Sequence, residues 1–237
     1  MITPAVQALL DGPARTDALA RVPFYIPAAD RDGGTGLARA GGVFLHQPTA
    51  AILFPSDFPP LSRRRPGFAG LRHVLVRFSF MLDRLPPRHA YQSAALLITL
   101  DHPDAVVRTQ RPDWVPARSE PANAITSEFS EALDGLIGRG TRQRRPAAAG
   151  HPPLITAENR GRGEFGWHYQ AQEGIPLLPR VEFALAVIEL PGEVSELTGQ
   201  LSGEAVVTAP RLGVITVARA VPAQPAEPFR LALGPAA

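Results

Sequence analysis

The chain has 237 residues, 45% of them hydrophobic and 19% charged, which is ordinary for a globular protein and long enough to bury a full core. All 24 basic residues are arginine and cysteine is absent, which excludes disulfides, thiolate metal sites, cysteine nucleophiles, Schiff-base lysines and phosphate-binding lysines. A formal net charge of only +2 leaves the chain nearly balanced, and its arginine, alanine, proline and glycine usage fits a high-GC bacterial source.

Met1-Ile2-Thr3-Pro4 has no basic stretch followed by an apolar one, so no secretory signal is read and a cytoplasmic location is expected. No apolar run approaches the ~20 residues of a membrane-spanning helix. Short helices are predicted over Pro4 to Leu10 and over Ala14 to Ala20, the latter with Pro13 at its front. Val22 to Ile26 reads as a strand, Asp30 to Gly36 as a turn, and Val43 to His46 and Ala51 to Phe54 as two further strands. Residues 55 to 70, rich in proline, serine, arginine and glycine, read as a surface loop.

The clearest strand is Val74 to Leu82, which sets Val74, Val76, Phe78, Phe80 and Leu82 on one face and Arg77 and Ser79 on the other. Tyr91 to Leu100 follows the Pro86-Pro87 break, and Asp101 to Asp104 turns it into a short strand at Ala105 to Arg108. Ser127 to Ile137 has the apolar spacing of an amphipathic helix, with Ser127 as its cap and Gly138 as its stop. Residues 138–153 are basic and rich in proline, alanine and glycine, as expected of a mobile loop or a linker between sub-domains within one β-rich unit of residues 1–237.

The chain is organised around Glu164 to Leu190. Phe165, Trp167 and Tyr169 alternate with Glu164, His168 and Gln170, and Val181 to Leu190 is apolar on both faces; the two are read as the central pair of a β-core. Glu196 to Ala209, Leu212 to Ala220 and Phe229 to Leu233 complete the strands, with Gly199 and Gly203 suggesting bulges or a bend. The expected fold is mainly β: an antiparallel sandwich or bent barrel of about nine to eleven strands with short N-terminal helices. The expected core is Val74, Val76, Phe78, Phe80, Leu97, Trp167, Phe183, Leu185, Val187, Val206 and Val214.

The chemical motifs fail on context. Gly161-Arg162-Gly163-Glu164-Phe165-Gly166 has the dinucleotide spacing, but the following residues alternate as a strand instead of opening a helix. Asp30-x-Asp32-Gly33 begins like a calcium loop, yet its twelfth position is Gly41. The six histidines form no metal-binding pair, and Asp101-His102-x-Asp104 lies where a hairpin turn is wanted. Ser202 lacks the flanking glycine pattern of a nucleophile elbow. No catalytic, cofactor-binding or metal-binding residue is therefore assigned.

Two surface features remain. Arg63, Arg64 and Arg65, with Arg139, Arg142, Arg144 and Arg145, can form an anion-attracting surface for a protein partner or an acidic membrane; without interleaved aromatics it is a poor nucleic-acid site. Phe165, Trp167 and Tyr169 offer either a stacking platform or core packing. The sequence reads as a non-catalytic interaction or structural module that works through arginine-rich loops and strand edges, binding a protein partner or self-assembling. The alternatives are a membrane-active or pore-forming effector activated by cleavage in the 139–145 loop, and a hydrolase or lyase with a cleft between sheets, in which His168, Glu164 and the acids of the turns would act.

Overall fold

A computed structural model describes residues 2–12, 18–29, 35–62, 70–112, 124–140, 154–161, 163–172, 176–179, 181–211, 214–222 and 226–234. At 26–29, 35–38, 40, 62, 124–127, 139–140, 160, 209–211 and 214–222 it describes the backbone alone. The elements are α1 (Pro4–Asp11), β1 (Ala18–Ala29), β2 (Thr35–His46), β3 (Thr49–Ile52), a 3-10 turn (Pro59–Ser62), β4 (Leu71–Leu82), β5 (Ala90–Leu100) and β6 (Val106–Arg111). There follow α2 (Ala124–Gly140), β7 (Leu154–Gly161), β8 (Glu164–Gln170), β9 (Val181–Pro191), β10 (Glu196–Arg211), β11 (Val214–Pro222) and β12 (Glu227–Ala232). No helix among the described residues is long and apolar enough to cross a membrane.

Every strand pairing is antiparallel, and the strands form two layers of a sandwich. The first runs β6-β9-β4-β2-β1 with β3 beside β4; the second runs β11-β10-β5-β8-β7 with β12 beside β10. They join where Phe24 and Tyr25 of β1 meet Pro222 and Val221 of β11. At the opposite margin side chains bridge the layers: Asn159 Nδ2 donates to the Val107 carbonyl at 3.2 Å, and Gln110 Nε2 to the Gly166 carbonyl at 3.1 Å.

The main core lies between the layers. Phe78 of β4 meets Phe165, Trp167 and Phe229 of the other layer at ring distances of 5.7, 6.0 and 6.1 Å, and Phe80 meets Tyr169 at 5.0 Å. Such aromatic pairs bury large apolar area in edge-to-face geometry. A second core covers the outer face of the first layer, where Val6 and Leu9 of α1, Phe58, and Phe129, Leu133 and Leu136 of α2 close over Leu75, Leu185 and Val187. Phe58 and Phe129 stack edge-on at 5.2 Å.

This second core accounts for several departures from the sequence reading. Residues 55 to 62 are not a solvated loop, because Asp57 and Phe58 are fully buried in them. Helix α2 runs past both predicted ends, with Ser127 and Gly138 inside it. Residues 18–20, read as helical, belong to β1, where pairing with β2 overrides their helix preference. Strand β7, whose sequence does not alternate cleanly, was not expected at all and brings the described strands to twelve.

Strands β8 and β9 are not a pair. β8 lies between β5 and β7 in one layer, and β9 between β4 and β6 in the other. Leu97 and Val206 are only partly buried, because their strands turn Leu96, Ile98, Ala205 and Val207 inward instead; Phe183 is 49% exposed at the end of β9 that the helices do not cover. Val214 lies outside the described side chains.

Gly199 and Gly203 mark close approach, not bulges. The β5–β10 register is continuous at both, and a Cβ at Gly199 would stand 2.4 Å from the Thr99 carbonyl and 2.9 Å from the Phe229 ring. Gly199→Ala is expected to lower stability by about 1–3 kcal/mol, as other overpacking changes do. Gly135→Ala, in open space on α2, is expected to raise it by about 1 kcal/mol. Urea denaturation midpoints for the two variants will move in opposite directions.

Tyr91 ties the layers together. Its hydroxyl donates to the Gly42 carbonyl at 3.1 Å and accepts from the Gly42 N–H at 3.2 Å. Burial pushes this hydroxyl up to about 12, against the Gly42 hydrogen bond that lowers it and with the Asp83 charge that raises it. An unfolded tyrosine ionises near ~10, so the stability that neutral Tyr91 contributes is complete below that pH and is lost as pH rises toward 12. Thermal melts at rising alkaline pH are expected to show this loss, and Tyr91→Phe to flatten it.

Candidate functional site

Strand β4 is buried on both faces, so its outward-facing polar residues are enclosed by α1, α2 and the 3-10 turn. Two polar clusters result. In the first, His73 and Glu189, each 5% exposed, lie opposite one another on β4 and β9. His73 Nε2 is 2.9 Å from Glu189 Oε2, while Arg108 reaches the same carboxylate through Nε at 3.0 Å and Nη2 at 2.5 Å. A register shift between Val107 and Thr109 puts Arg108 there and also lets Thr109 meet Ser130 of α2 at 2.9 Å. Phe129 covers His73 at 5.6 Å.

Burial alone raises the Glu189 carboxyl, but the hydrogen bonds and charges of His73 and Arg108 outweigh it and hold the group below the usual carboxylate range. Glu189 therefore contributes stability above its unfolded value of about 4.5, and that contribution is lost as pH falls through the lower folded value. Removing one partner of a buried pair leaves an uncompensated charge, so Glu189→Ala is expected to cost about 3–5 kcal/mol. Acid titration of the fold by circular dichroism checks both statements: the variant is expected to lose the Glu189 part of the acid transition.

The second cluster lies where α1 ends. The N-terminus of α1 is fixed by Asp57, whose carboxylate accepts from the Thr3 N–H at 2.5 Å, the Thr3 hydroxyl at 3.2 Å and the Phe54 N–H at 3.3 Å. At the other end Arg77 Nη1 donates to the carbonyls of Leu9 at 3.0 Å and Gly12 at 2.7 Å. A cation at a helix C-terminus complements the dipole and the unpaired carbonyls there. The guanidinium also lies 4.7 Å over the Phe183 ring. Burial lowers its proton affinity.

Next along β4, Ser79 Oγ is 3.3 Å from His46 Nδ1, and both residues are buried. Burial lowers the His46 imidazole, which favours its neutral form. A cavity of about 330 Å³ opens beside this pair, lined by Arg77, Ser79, Gln47 and Thr49 and by Leu9 and three alanines. Its chemistry is that of hydrogen-bond donors around one cation. Among the described residues no carboxylate completes a nucleophile triad with Ser79 and His46.

The residues singled out in the sequence lie elsewhere. Phe165, Trp167 and Tyr169 are 2%, 0% and 2% exposed and are core, which removes the stacking platform. Burial, then Glu182, raises the Tyr169 hydroxyl. Arg63, Arg64, Arg65, Arg142, Arg144 and Arg145 are outside the described residues, and Arg139 is described only as backbone of α2. His168 Nε2 pairs with Glu158 Oε2 at 2.7 Å on the outer face of the second layer. Glu164 is four residues along β8 from it and exposed, so the two do not converge on a cleft between the layers.

His102 Nδ1 accepts the Asp104 N–H at 3.2 Å, a turn contact, and among the described residues no cluster of three metal-ligating side chains occurs. The glycine-rich Gly161 to Gly166 segment is a β7–β8 hairpin, with Gly161 at φ 79° and Gly163 at φ 77°. Asp57, Arg77, His46 and Glu189 were not singled out. Their only signal in the sequence was a polar residue facing outward on a strongly apolar strand or turn.

No known protein family matches the chain, and no curated protein does. Among solved structures it is similar to a cohesin module from the Clostridium perfringens family 33 glycoside hydrolase, at 6% identity over 83% of this chain and 98% of that one, with a TM-score of 0.35. It is also similar to Clostridium perfringens delta-toxin, at 6% identity over 89% and 86% with a TM-score of 0.32. The Corynebacterium diphtheriae major pilin SpaA gives 12% identity over 86% and 43%, with a TM-score of 0.30. Likenesses this slight carry no argument about activity.

Proposed function

We propose that the protein is a non-catalytic interaction module whose partner surface is the part of the first layer's outer face that the helices leave uncovered. Strand register places Phe44 of β2, Met81 of β4 and Val181 of β9 in one row, with Phe183 in the next beside the buried Ser79. The observation that carries the proposal is Phe183, 49% exposed on a strand whose Leu185, two residues on, is buried under the helices. With half-buried Phe44, Met81 and Val181 it makes a contiguous apolar patch, and contiguity is what distinguishes a binding surface from scattered exposed hydrophobics.

Both rings of these rows carry an arginine. Arg77 lies over Phe183, and Arg21 lies 5.0 Å over Phe44 while pairing with Asp83 at 2.5 Å. Arginine and aromatic side chains on a rigid strand lose little entropy on binding and are enriched among the residues that dominate protein interfaces. The arginines at 63–65 and 142–145 add a long-range attraction for an acidic partner. The partner is a protein, either another chain type or a second copy of this one.

Light scattering over a range of concentrations, with cross-linking and mass spectrometry in extracts of the source cell, tests this. The expected result is one dominant complex, homomeric or heteromeric, that Phe183→Ser weakens by about 30-fold or more, the scale of an interface hot spot. A variant that forms the same complex with unchanged affinity would overturn the assignment of this surface. So would a wild-type protein that stays monomeric and captures no partner.

A further inference from the structure

We propose that the cavity at the end of α1 is a binding site for a carboxylate, held by Arg77 with Ser79 and Thr49 as supporting donors. A guanidinium carries five N–H donors. Arg77 spends two of them, both from Nη1, on the Leu9 and Gly12 carbonyls. Its Nε is buried without an acceptor and closed to the cavity as it is to solvent, so Nη2, which makes no hydrogen bond to the described residues, is the nitrogen left for a ligand. The residue is only 9% exposed, and among the described residues no carboxylate pairs with it; its remaining neighbour is the Phe183 ring. A buried cation with its Nη2 donors unspent, lining a cavity, is a site short of an anion.

The cavity selects the kind of anion. One guanidinium balances one negative charge, and the Leu9 and Gly12 carbonyls at the negative end of α1 stand on the other side of it, which disfavours a dianion such as phosphate. Ser79 supplies a hydroxyl: when His46 Nδ1 carries its proton and donates to Oγ, the serine O–H is free to donate into the cavity. Ala5, Ala8 and Ala50 form an apolar side for a short aliphatic body. The volume of about 330 Å³ is at the lower end of small-molecule sites, so the occupant is a small carboxylic acid or the carboxylate end of a polypeptide. This inference does not rest on the partner surface.

The test is a titration of ¹⁵N-labelled protein, following the Ala8 amide and the Arg77 Nε–H signals. The probes are butyrate, its neutral isostere butyramide, inorganic phosphate, and acetyl-trialanine with a free C-terminal carboxylate. Butyrate or the peptide is expected to saturate both signals at roughly millimolar concentration. Saturation by butyrate alone identifies a small acid as the occupant, and saturation by the peptide identifies a chain carboxylate. Ala8→Leu fills the cavity from an exposed helix position without touching Arg77 and is expected to weaken binding at least tenfold with the fold intact. No saturable shift from either carboxylate, equal shifts from butyramide, tighter binding of phosphate, or unchanged affinity in Ala8→Leu would each overturn the proposal.

Discussion

The burial of β4 on both faces is the constraint from which the rest of the structure follows. Its inward residues, Val74, Val76, Phe78 and Phe80, are the first layer's contribution to the sandwich core. Its outward residues include His73, Arg77 and Ser79, and covering them with helices takes their polar groups out of water. A buried polar group is tolerated only when it finds a partner. The chain supplies those partners from distant segments: Glu189 from β9, two carbonyls from the end of α1, and His46 from β2.

This arrangement gives α1 and α2 different duties. α2 contributes Phe129, Leu133 and Leu136 to the second core and fastens to β6 through Arg111 and Asp134, at 2.6 and 2.8 Å. α1 is short, and eight residues do not hold a helix in water by themselves. It is held at its start by Asp57 and at its end by Arg77, with Val6 and Leu9 buried between. Because Arg77 spends only part of its hydrogen-bonding capacity on this task, the same side chain that fixes the helix also leaves a cationic group facing a cavity.

The two layers differ in what they show to solvent. The outer face of the first is partly roofed by helices, and its uncovered remainder carries half-buried Phe44 and Met81 and the exposed Phe183 beside arginines. The outer face of the second carries Glu164, His168, Gln170 and Glu204 around alanines and half-buried Leu97 and Val206. Among the described residues the first layer's outer face carries the exposed Phe183 ring beside an arginine.

The sequence by itself determined the β class, nearly all the strands and the inward set of β4 and β8, since alternation at period two reports which side chains share a face. It also determined that Gly161 to Gly166 is a hairpin, because the residues after it alternate as a strand. Local patterning does not say which strands are neighbours, so β8 and β9 were placed together although their ladders lie in different layers. Nor does it say what covers a face: Phe165, Trp167 and Tyr169 are core because the opposite layer closes on them, and Phe183 is exposed because the helices end before it. Both polar clusters join residues far apart in the chain, with His73 and Glu189 separated by 116 positions and Arg77 and Leu9 by 68. Only the tertiary fold brings such groups within hydrogen-bonding distance, because their attraction is short-ranged and leaves no periodic mark on the sequence.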